Sequence, residues 1–465
     1  MKKTLFLLLL LCGCTMGPDY KRPDTAPADA FKETPPGWKE AQPRDEIARG
    51  KWWEMFGDPD LNALIEKIET SNQSLAASEA QFRQAQAAID VARAPLFPTL
   101  DGNVSVTRSR SPVGVVGGTT AGRIITQRSA AVSANWETDL WGRVRRQVES
   151  AEASAAASAG DFAAARLSLQ AQLMTDYFAL RLLDAQKKLL EDTVAAFRKS
   201  LELTQNRYDA GVAAKADVVQ ADAQLKSTLT QAADLGVQRA QLEHAIAILT
   251  GVPPSQLSIA PRATFEVQVP VIPPGLPSAL LERRPDIAAA ERRVAAANAQ
   301  IGVAKSAYFP DLTLSAQYGF RSSDAATWFT APSHFWSIGP AIAQSIFDAG
   351  LRRAQTAQAI AAYEATVANY RQTALAALQD VEDNLAALRV LEEEAKLEQD
   401  SVDAARLSLQ LTLNQYKAGT VSFLNVVTVQ ASLLAEERNA VNILNRRLAA
   451  AVGLVRALGG GWQPG

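Results

Sequence analysis

Thiols, imidazoles and long apolar runs are all scarce in this sequence. Two cysteines occur in 465 residues, Cys12 and Cys14, so no disulfide or thiolate site is available beyond position 14. The two histidines, His244 and His334, are too few for a histidine-rich metal centre and leave nucleophile–histidine chemistry little to work with. A formal net charge of −2 supplies no basic face for nucleic acid. Scattered acids such as Glu392, Glu393, Glu394, Asp380, Glu382 and Asp383 read as solvated or helix-pairing charges on long helices. No catalytic residue, metal or cofactor is expected, and the chain does not read as an enzyme. Beyond the first residues no apolar stretch is long enough for a transmembrane helix, so insertion into a bilayer has to use strands.

What is present begins at the N-terminus. Lys2 and Lys3 precede a short apolar run over 5–11, which ends in Leu11-Cys12-Gly13-Cys14. This is the pattern of a secretory signal closed by a lipoprotein box. Cys14 fits as the acylated residue because small Gly13 precedes it, whereas Leu11 precedes Cys12. Residues 1–13 are expected to be removed and Cys14 to become a lipid anchor. Thr15, in place of Asp, points to onward transfer to the outer membrane.

The chain then repeats itself. Phe97-Pro98 matches Phe309-Pro310 at an offset of 309 − 97 = 212 residues, and Tyr208 and Gly211 match Tyr416 and Gly419 at 416 − 208 = 208. Matches at Gly142 and Gly350 and at Leu180-Arg181 and Leu388-Arg389 fall in the same order. Two repeats are expected, 61–260 and 275–457, each with the same plan.

An Ala-rich helix (62–95, 278–307) stops at Pro98 or Pro310. A strand with period-2 alternation follows (102–108; 312–321, with Leu312, Leu314, Ala316, Tyr318 and Phe320 on one face). Then come a Gly/Ser/Thr-rich loop and a second strand (124–138, 335–347). A helix of more than sixty residues comes next (143–206, 351–414), with an apolar stripe at 173, 177, 180, 190, 194, 197 and 201. A Gly break and a returning helix (213–250, 421–456) complete the repeat. The fold class is mainly α with a small transmembrane β-barrel contribution. Ten-residue alternating strands flanked by Trp136, Trp141, Trp328, Phe329 and Trp336 suit an outer-membrane barrel. Four strands per chain cannot close one alone, so the barrel has to be shared. Three chains give twelve strands, the simplest closed cyclic solution.

These residues carry a resemblance to a family. Cys14 to Pro23, Trp52-Trp53, Phe56 to Leu64, Leu281 to Asp286 (LERRPD) and Leu458 to Trp462 lie in the order of its sequence blocks. Over the whole mature length the chain resembles the TolC-like outer-membrane factor family, in its efflux lipoprotein (NodT/OprM-like) branch. The resemblance implies a homotrimer with a twelve-stranded barrel in outer-membrane lipid and a coiled-coil-like α-helical tunnel in the periplasm. It also implies a mixed equatorial region at about 38–60, within the N-terminal segment 14–60, with the Pro-rich connection 252–277 and the C-terminal tail 458–465. The implied function is the exit duct of a tripartite pump for small toxic compounds. Its implied partners are a periplasmic adaptor protein and an inner-membrane transporter of the resistance-nodulation-division (RND) type. The alternatives are the duct of a type I protein secretion system and a coiled-coil lipoprotein with no pore.

The resemblance also gives the two Gly breaks a role. Ala210, Gly211 and Val212, and Ala418, Gly419 and Thr420, match the periplasmic turns on which the family docks its adaptor. Tyr208, Asp217, Tyr416, Leu424, Asn425 and Thr428 match the periplasmic gate beside those turns. Asn425 and Thr428 stand where many relatives carry constricting Asp residues. The expectation is therefore a gate held by packing and neutral hydrogen bonds, with weak block by divalent cations.

Overall fold

The computed structural model describes residues 15–25, 31–33, 51–110, 124–265, 267–272 and 283–460. Cys14, Leu281, Glu282 and Trp462 lie outside them. The principal elements are α1 (Pro59–Ser71), α2 (Gln73–Arg93), β1 (Thr99–Arg110), β2 (Ile124–Thr138), α3 (Arg143–Asp209) and α4 (Lys215–Leu249), followed by α5 (Pro285–Ser306), β3 (Asp311–Ser322), β4 (His334–Ala343), α6 (Leu351–Lys417) and α7 (Phe423–Ala457). The helix–strand–strand–helix–helix order therefore occurs twice. α3 and α6 each have 67 residues, about 100 Å at 1.5 Å per residue. No described helix is long and apolar enough to cross a membrane.

One expected helix is two. The run predicted over 62–95 breaks at Asn72, whose backbone is extended. The Asn72 side chain accepts from Leu75 N at 2.8 Å, an N-cap for α2, and donates to Leu249 O at 2.7 Å. The second of these partners is 177 residues away.

The chain divides into two compact units, each drawing on both repeats: 1–24, 81–159 and 289–370 in the first, 25–80, 160–288 and 371–465 in the second. The first unit contains an antiparallel sheet of order β1-β2-β3-β4, with β1 and β4 at its edges. Its register sorts most of the side chains between two faces. Gly102 pairs with Val132, Val132 with Tyr318, and Tyr318 with Trp336, so even-numbered residues share one face. That face carries Leu100, Val104, Val106, Ile124, Val132, Leu314, Tyr318, Trp336, Ile338 and Ile342, which are all the exposed large apolar residues of the strands. The odd face carries Asp101, Asn103, Ser105, Thr107, Gln127, Ser129, Ser133, Thr313, Ser315 and Gln317. One surface is built for hydrocarbon and the other for water. The sequence repeat also transposes the register: the pair Gly102 with Val132, moved by the two offsets, becomes Leu314 with Pro340, which is observed.

Segment 15–22 is held within the same unit. Met16 N donates to Trp141 O at 3.1 Å, and buried Arg146 reaches Met16 O at 3.1 Å, Asp19 at 3.0 Å and Glu149 at 2.7 Å. Tyr20 donates to Glu291 at 2.6 Å. Burial and that carboxylate push the Tyr20 hydroxyl well above the usual phenol range. Asp139 and Asp348 start the long helices. Asp139 accepts from Val144 N and Arg145 N at 2.9 and 3.0 Å, and Asp348 from Gly350 N and Arg352 N at 3.0 and 3.3 Å.

In the second unit Trp52, Trp53, Phe56, Leu61, Ile65, Tyr177 and Phe178 are all buried, with the Phe56 and Phe178 ring centroids 5.4 Å apart and those of Tyr177 and Phe178 6.0 Å apart. Asp58 caps α1 through Asp60 N and Leu61 N, and accepts from the Tyr177 hydroxyl at 2.7 Å and Arg262 at 2.8 Å. Fully buried Asp184 takes Arg181 at 3.1 Å, Arg239 at 2.7 Å and Arg262 N at 3.1 Å. The same arginines donate to Ala260 O and Ile259 O at 2.7 and 2.5 Å, which ties the connection after α4 onto the helices. Here the charges hold a non-repetitive segment in place, because removing one partner would leave another buried and unpaired. Along α3, Leu173, Tyr177, Leu180, Leu190, Val194 and Phe197 are buried and Leu201 is half-buried, so the coiled-coil stripe follows the periodicity and loosens at its last position.

Candidate functional site

Both Gly breaks are helix ends of one type. At the first, Gly211 N donates to Tyr208 O at 2.9 Å and Val212 N to Arg207 O at 2.8 Å. At the second, Gly419 N donates to Tyr416 O and Thr420 N to Gln415 O, both at 3.0 Å. This paired bonding is a Schellman cap, which needs a left-handed residue after the helix. Gly211 and Gly419 supply it with φ of 77° and 80°. A Cβ on Gly211 would meet nothing within 4 Å, and on Gly419 only Arg207 Nη2 at 3.9 Å, so the glycines answer a backbone demand and not crowding within the chain. Ala210, Gly211, Val212, Ala418, Gly419 and Thr420 are all exposed. Two short rows of small residues face outward.

Around this shared backbone the two tyrosines part company. Tyr208 is 37% exposed, with Lys215 Nζ 5.1 Å from its ring centroid. Tyr416 is 4% exposed and packs with Ala221, Phe423, Val426 and Val427. Its hydroxyl lies 3.1 Å from Thr204 Oγ1, and Thr204 donates in turn to Ser200 O at 2.8 Å, so the tyrosine is the donor to Thr204. Arg207 donates to Tyr416 O at 2.6 Å and places its guanidinium 4.6 Å over the ring. The first turn thus clasps the second through Arg207 and Thr204. No hydrogen bond among the described residues joins Tyr416 to Asp217, which stands half-exposed in the first turn of α4.

Leu424, Asn425 and Thr428 lie together on the exposed side of α7, opposite the buried Phe423, Val426, Val427 and Gln430. Thr428 Oγ1 donates to Leu424 O at 2.9 Å, a local bond within its own helix. No carboxylate occurs in α7 before Glu436. The sequence-predicted gate residues therefore divide: Leu424, Asn425 and Thr428 form one outward strip, Asp217 and Tyr208 stand at the first turn, and Tyr416 is core. Arg207 and Thr204 were not anticipated. The signal for Arg207 was the mismatch immediately before the tyrosines, Arg207 in the first copy against Gln415 in the second. Beside the first turn, an open groove of ≈ 480 Å³ between α3 and α4 is lined by Arg198, Leu201, Glu202, Lys215, Val219 and Asp222 among others. No group of residues able to hold a metal ion occurs among the described residues.

A sheet with one hydrocarbon face and one polar face, built into a duplicated frame of 100 Å helices that turn back at capped tips, defines a membrane-inserted duct protein of mixed strand-and-helix type. Comparison with known proteins gives the family. The profile of outer membrane efflux proteins matches residues 64–252 and 276–460. The pyoverdine export outer membrane protein OpmQ of Pseudomonas aeruginosa is 33% identical over 463 residues, 98% of this chain and 95% of that protein. The probable efflux pump outer membrane protein TtgC of Pseudomonas putida is 31% identical over 457 residues, 97% of this chain and 94% of that one. Among solved structures, the outer-membrane channel OprN superposes with a TM-score of 0.88 at 32% identity, covering 97% of this chain and 100% of its own. The open state of the Neisseria gonorrhoeae channel MtrE gives 0.84 at 28% identity, covering 97% and 99%. The chain belongs to the outer membrane efflux protein family and is an efflux channel of the Gram-negative outer membrane.

Proposed function

We propose that three copies of the chain close a twelve-stranded barrel and form the exit duct of a tripartite pump. The observation that carries this reading is the sheet: an apolar face, a polar face and two unpaired edges, a state that hydrocarbon does not tolerate in a single copy. The even face meets lipid, the odd face lines the water-filled exit, and the long helices make the periplasmic tunnel. A periplasmic adaptor seats on Ala210 to Val212 and Ala418 to Thr420, where small exposed residues allow close backbone approach, and an inner-membrane RND-type transporter supplies the energy. Passage asks no chemistry of the duct. The relatives carry names of small-molecule export, from pyoverdine to toluene, which favours small compounds over secreted proteins.

Cys14 anchors each copy by its acyl chains. Thr15, the next residue, has its Cα 3.0 Å from where a Cβ on Gly142 would stand, between β2 and α3, so the described N-terminal segment starts beside the end of the sheet.

The decisive experiment uses the register. Moving the pair Ala134 with Ala316 by the two repeat offsets predicts that Ile342 on the β4 edge faces Val104 on the β1 edge of the next copy. The full chain with Val104→Cys and Ile342→Cys is expected to yield covalent trimers on oxidation. Each single variant should yield none, and so should the shifted pair Leu100→Cys with Ile342→Cys. Oxidation that yields only dimers, or equal trimer from the shifted pair, sinks the shared barrel. In cells, a deletion strain should gain sensitivity to dyes, detergents and antibiotics, restored fully by the wild-type chain and only partly by Cys14→Ser.

A further inference from the structure

Charge on the strands is distributed unevenly. Residues 102–136 contain four arginines, Arg108, Arg110, Arg123 and Arg128, and no aspartate or glutamate. The strand carboxylates Asp101, Glu137 and Asp311, and the remaining strand arginine, Arg321, all have odd numbers and belong to the polar face. On the apolar face the charged residues are Arg108, Arg110 and Arg128, all toward the loop end of β1 and β2.

The register gathers them. Arg128 pairs with Val106, so Arg108, two residues further along β1, is its diagonal neighbour on the same face, and Arg110 follows. From Leu100 to Arg108 the strand covers about 27 Å, which at the usual barrel tilt is about 20 Å of depth, close to where the apolar band of an outer-membrane barrel ends. At the opposite end, Trp136 donates to Leu96 O at 3.1 Å and Trp141 to Pro310 O at 2.8 Å, with Trp141 stacked on Phe309 at 4.7 Å. The lipid face thus ends in aromatics toward the helices, and toward the loops in arginines on β1 and β2 beside aromatics (Tyr318, Phe320 and Trp336) on β3 and β4. Arg128 Nη1 donates to Ser323 O at 2.8 Å, and Arg108 has no hydrogen bond or ion pair among the described residues.

We propose that Arg108, Arg110 and Arg128 bind the phosphate groups of an anionic lipid in the outer leaflet. This rests on the barrel orientation given above, with the strand loops outside the cell. Three cations on an outward face, with no carboxylate on that face, complement phosphate, and guanidinium forks pair with it bidentately. The location at the edge of the apolar band selects a lipid headgroup over a soluble anion. A soluble anion would be drawn to arginines lining the lumen, where Arg321 already stacks over Phe335 at 4.6 Å.

The test uses the purified full-length channel in detergent with bisphosphorylated lipid A and its enzymatically dephosphorylated form, read by native mass spectrometry. The wild-type chain is expected to bind the bisphosphorylated lipid at least tenfold more tightly. The triple variant Arg108→Gln/Arg110→Gln/Arg128→Gln is expected to lose that preference, and Arg321→Gln, on the lumen face, to keep it. Equal binding of the two lipids by the wild type, or an unchanged preference in the triple variant, overturns the proposal. A second measurement separates that failure from a failure of the orientation. Ser323→Cys in otherwise wild-type chain should react with a membrane-impermeant maleimide on intact cells. Labelling without a lipid preference removes the phosphate site alone. Absence of labelling, with labelling after lysis, overturns the orientation and the proposal together. Heat-resistant oligomer on gels confirms that the triple variant has folded.

Discussion

The two helical turns share a backbone and differ in what they do with it. Each ends a 67-residue helix in the same cap, with a glycine near φ 80° and a tyrosine three residues before it. The first turn leaves Tyr208 at the surface under Lys215, while the second buries Tyr416 and surrounds it with Phe423, Val426, Thr204 and Arg207 from both hairpins. One turn supplies the clasp and the other is clasped. Duplication preserved the geometry, and divergence of flanking residues assigned the roles.

The largest expected effect separates the tyrosines. Tyr416→Ala removes a buried aromatic and is expected to cost about 3–5 kcal/mol in local stability. Tyr208→Ala removes one partly exposed cation–π contact, about 1 kcal/mol or less. Hydrogen exchange of the α6–α7 amides, which reports local opening, should rise steeply in the first variant and little in the second. Equal effects would mean that the turns are equivalent after all. The glycines should behave in the opposite way. Gly211→Val and Gly419→Val each force a β-branched residue into the left-handed region, roughly 1–2 kcal/mol apiece, with open space around the added Cβ. Both should impair complementation of the deletion strain to a similar degree, and an effect at only one would assign adaptor contact to that turn alone.

Arg207→Gln tests the clasp directly. It removes the bond to Tyr416 O and the stacking on the ring, together about 1–2 kcal/mol, and converts the first turn to the residue that the second carries at Gln415. In a planar bilayer the variant should open more readily than the wild type. Gln415→Arg, by contrast, adds a cation beside the exposed second turn and should leave the closed fraction unchanged.

Much of this was legible in the sequence, because repeats, strand alternation and glycine breaks are local signals. The offsets of 212 and 208 even carry the strand register from one repeat to the other, since β3 and β4 inherit the pairing of β1 and β2. What was not legible depends on contacts distant along the chain. The break at Asn72 rests on Leu249 O, the burial of Asp184 on arginines 3 and 55 residues away and on Arg262 N, 78 away, and the burial of Tyr416 on Thr204, 212 residues earlier. The patterns NRYDAG and NQYKAG look alike, so nothing local marks the second tyrosine as core. The strip of Leu424, Asn425 and Thr428 was legible because spacings of three residues (425 to 428) and four (424 to 428) share a helix face.

That strip sets the smallest expected effect and the finest comparison between the tips. Asp217 puts a half-exposed carboxylate in the first turn of α4, while the first acid in α7 is Glu436, beyond the first three turns. Hard divalent cations need several oxygen ligands, at least some of them charged, and Asn425 and Thr428 offer only neutral ones. Millimolar Mg²⁺ on the periplasmic side should therefore reduce conductance only weakly in the wild-type channel. Three copies of Asn425→Asp with Thr428→Asp would place six carboxylates around one axis and should strengthen the block about tenfold, the equivalent of roughly 1.4 kcal/mol. Asp217→Asn should change it little. If Asp217→Asn abolishes the block and the α7 substitutions do nothing, the constriction belongs to the first turn, and the division of roles between the two tips is reversed.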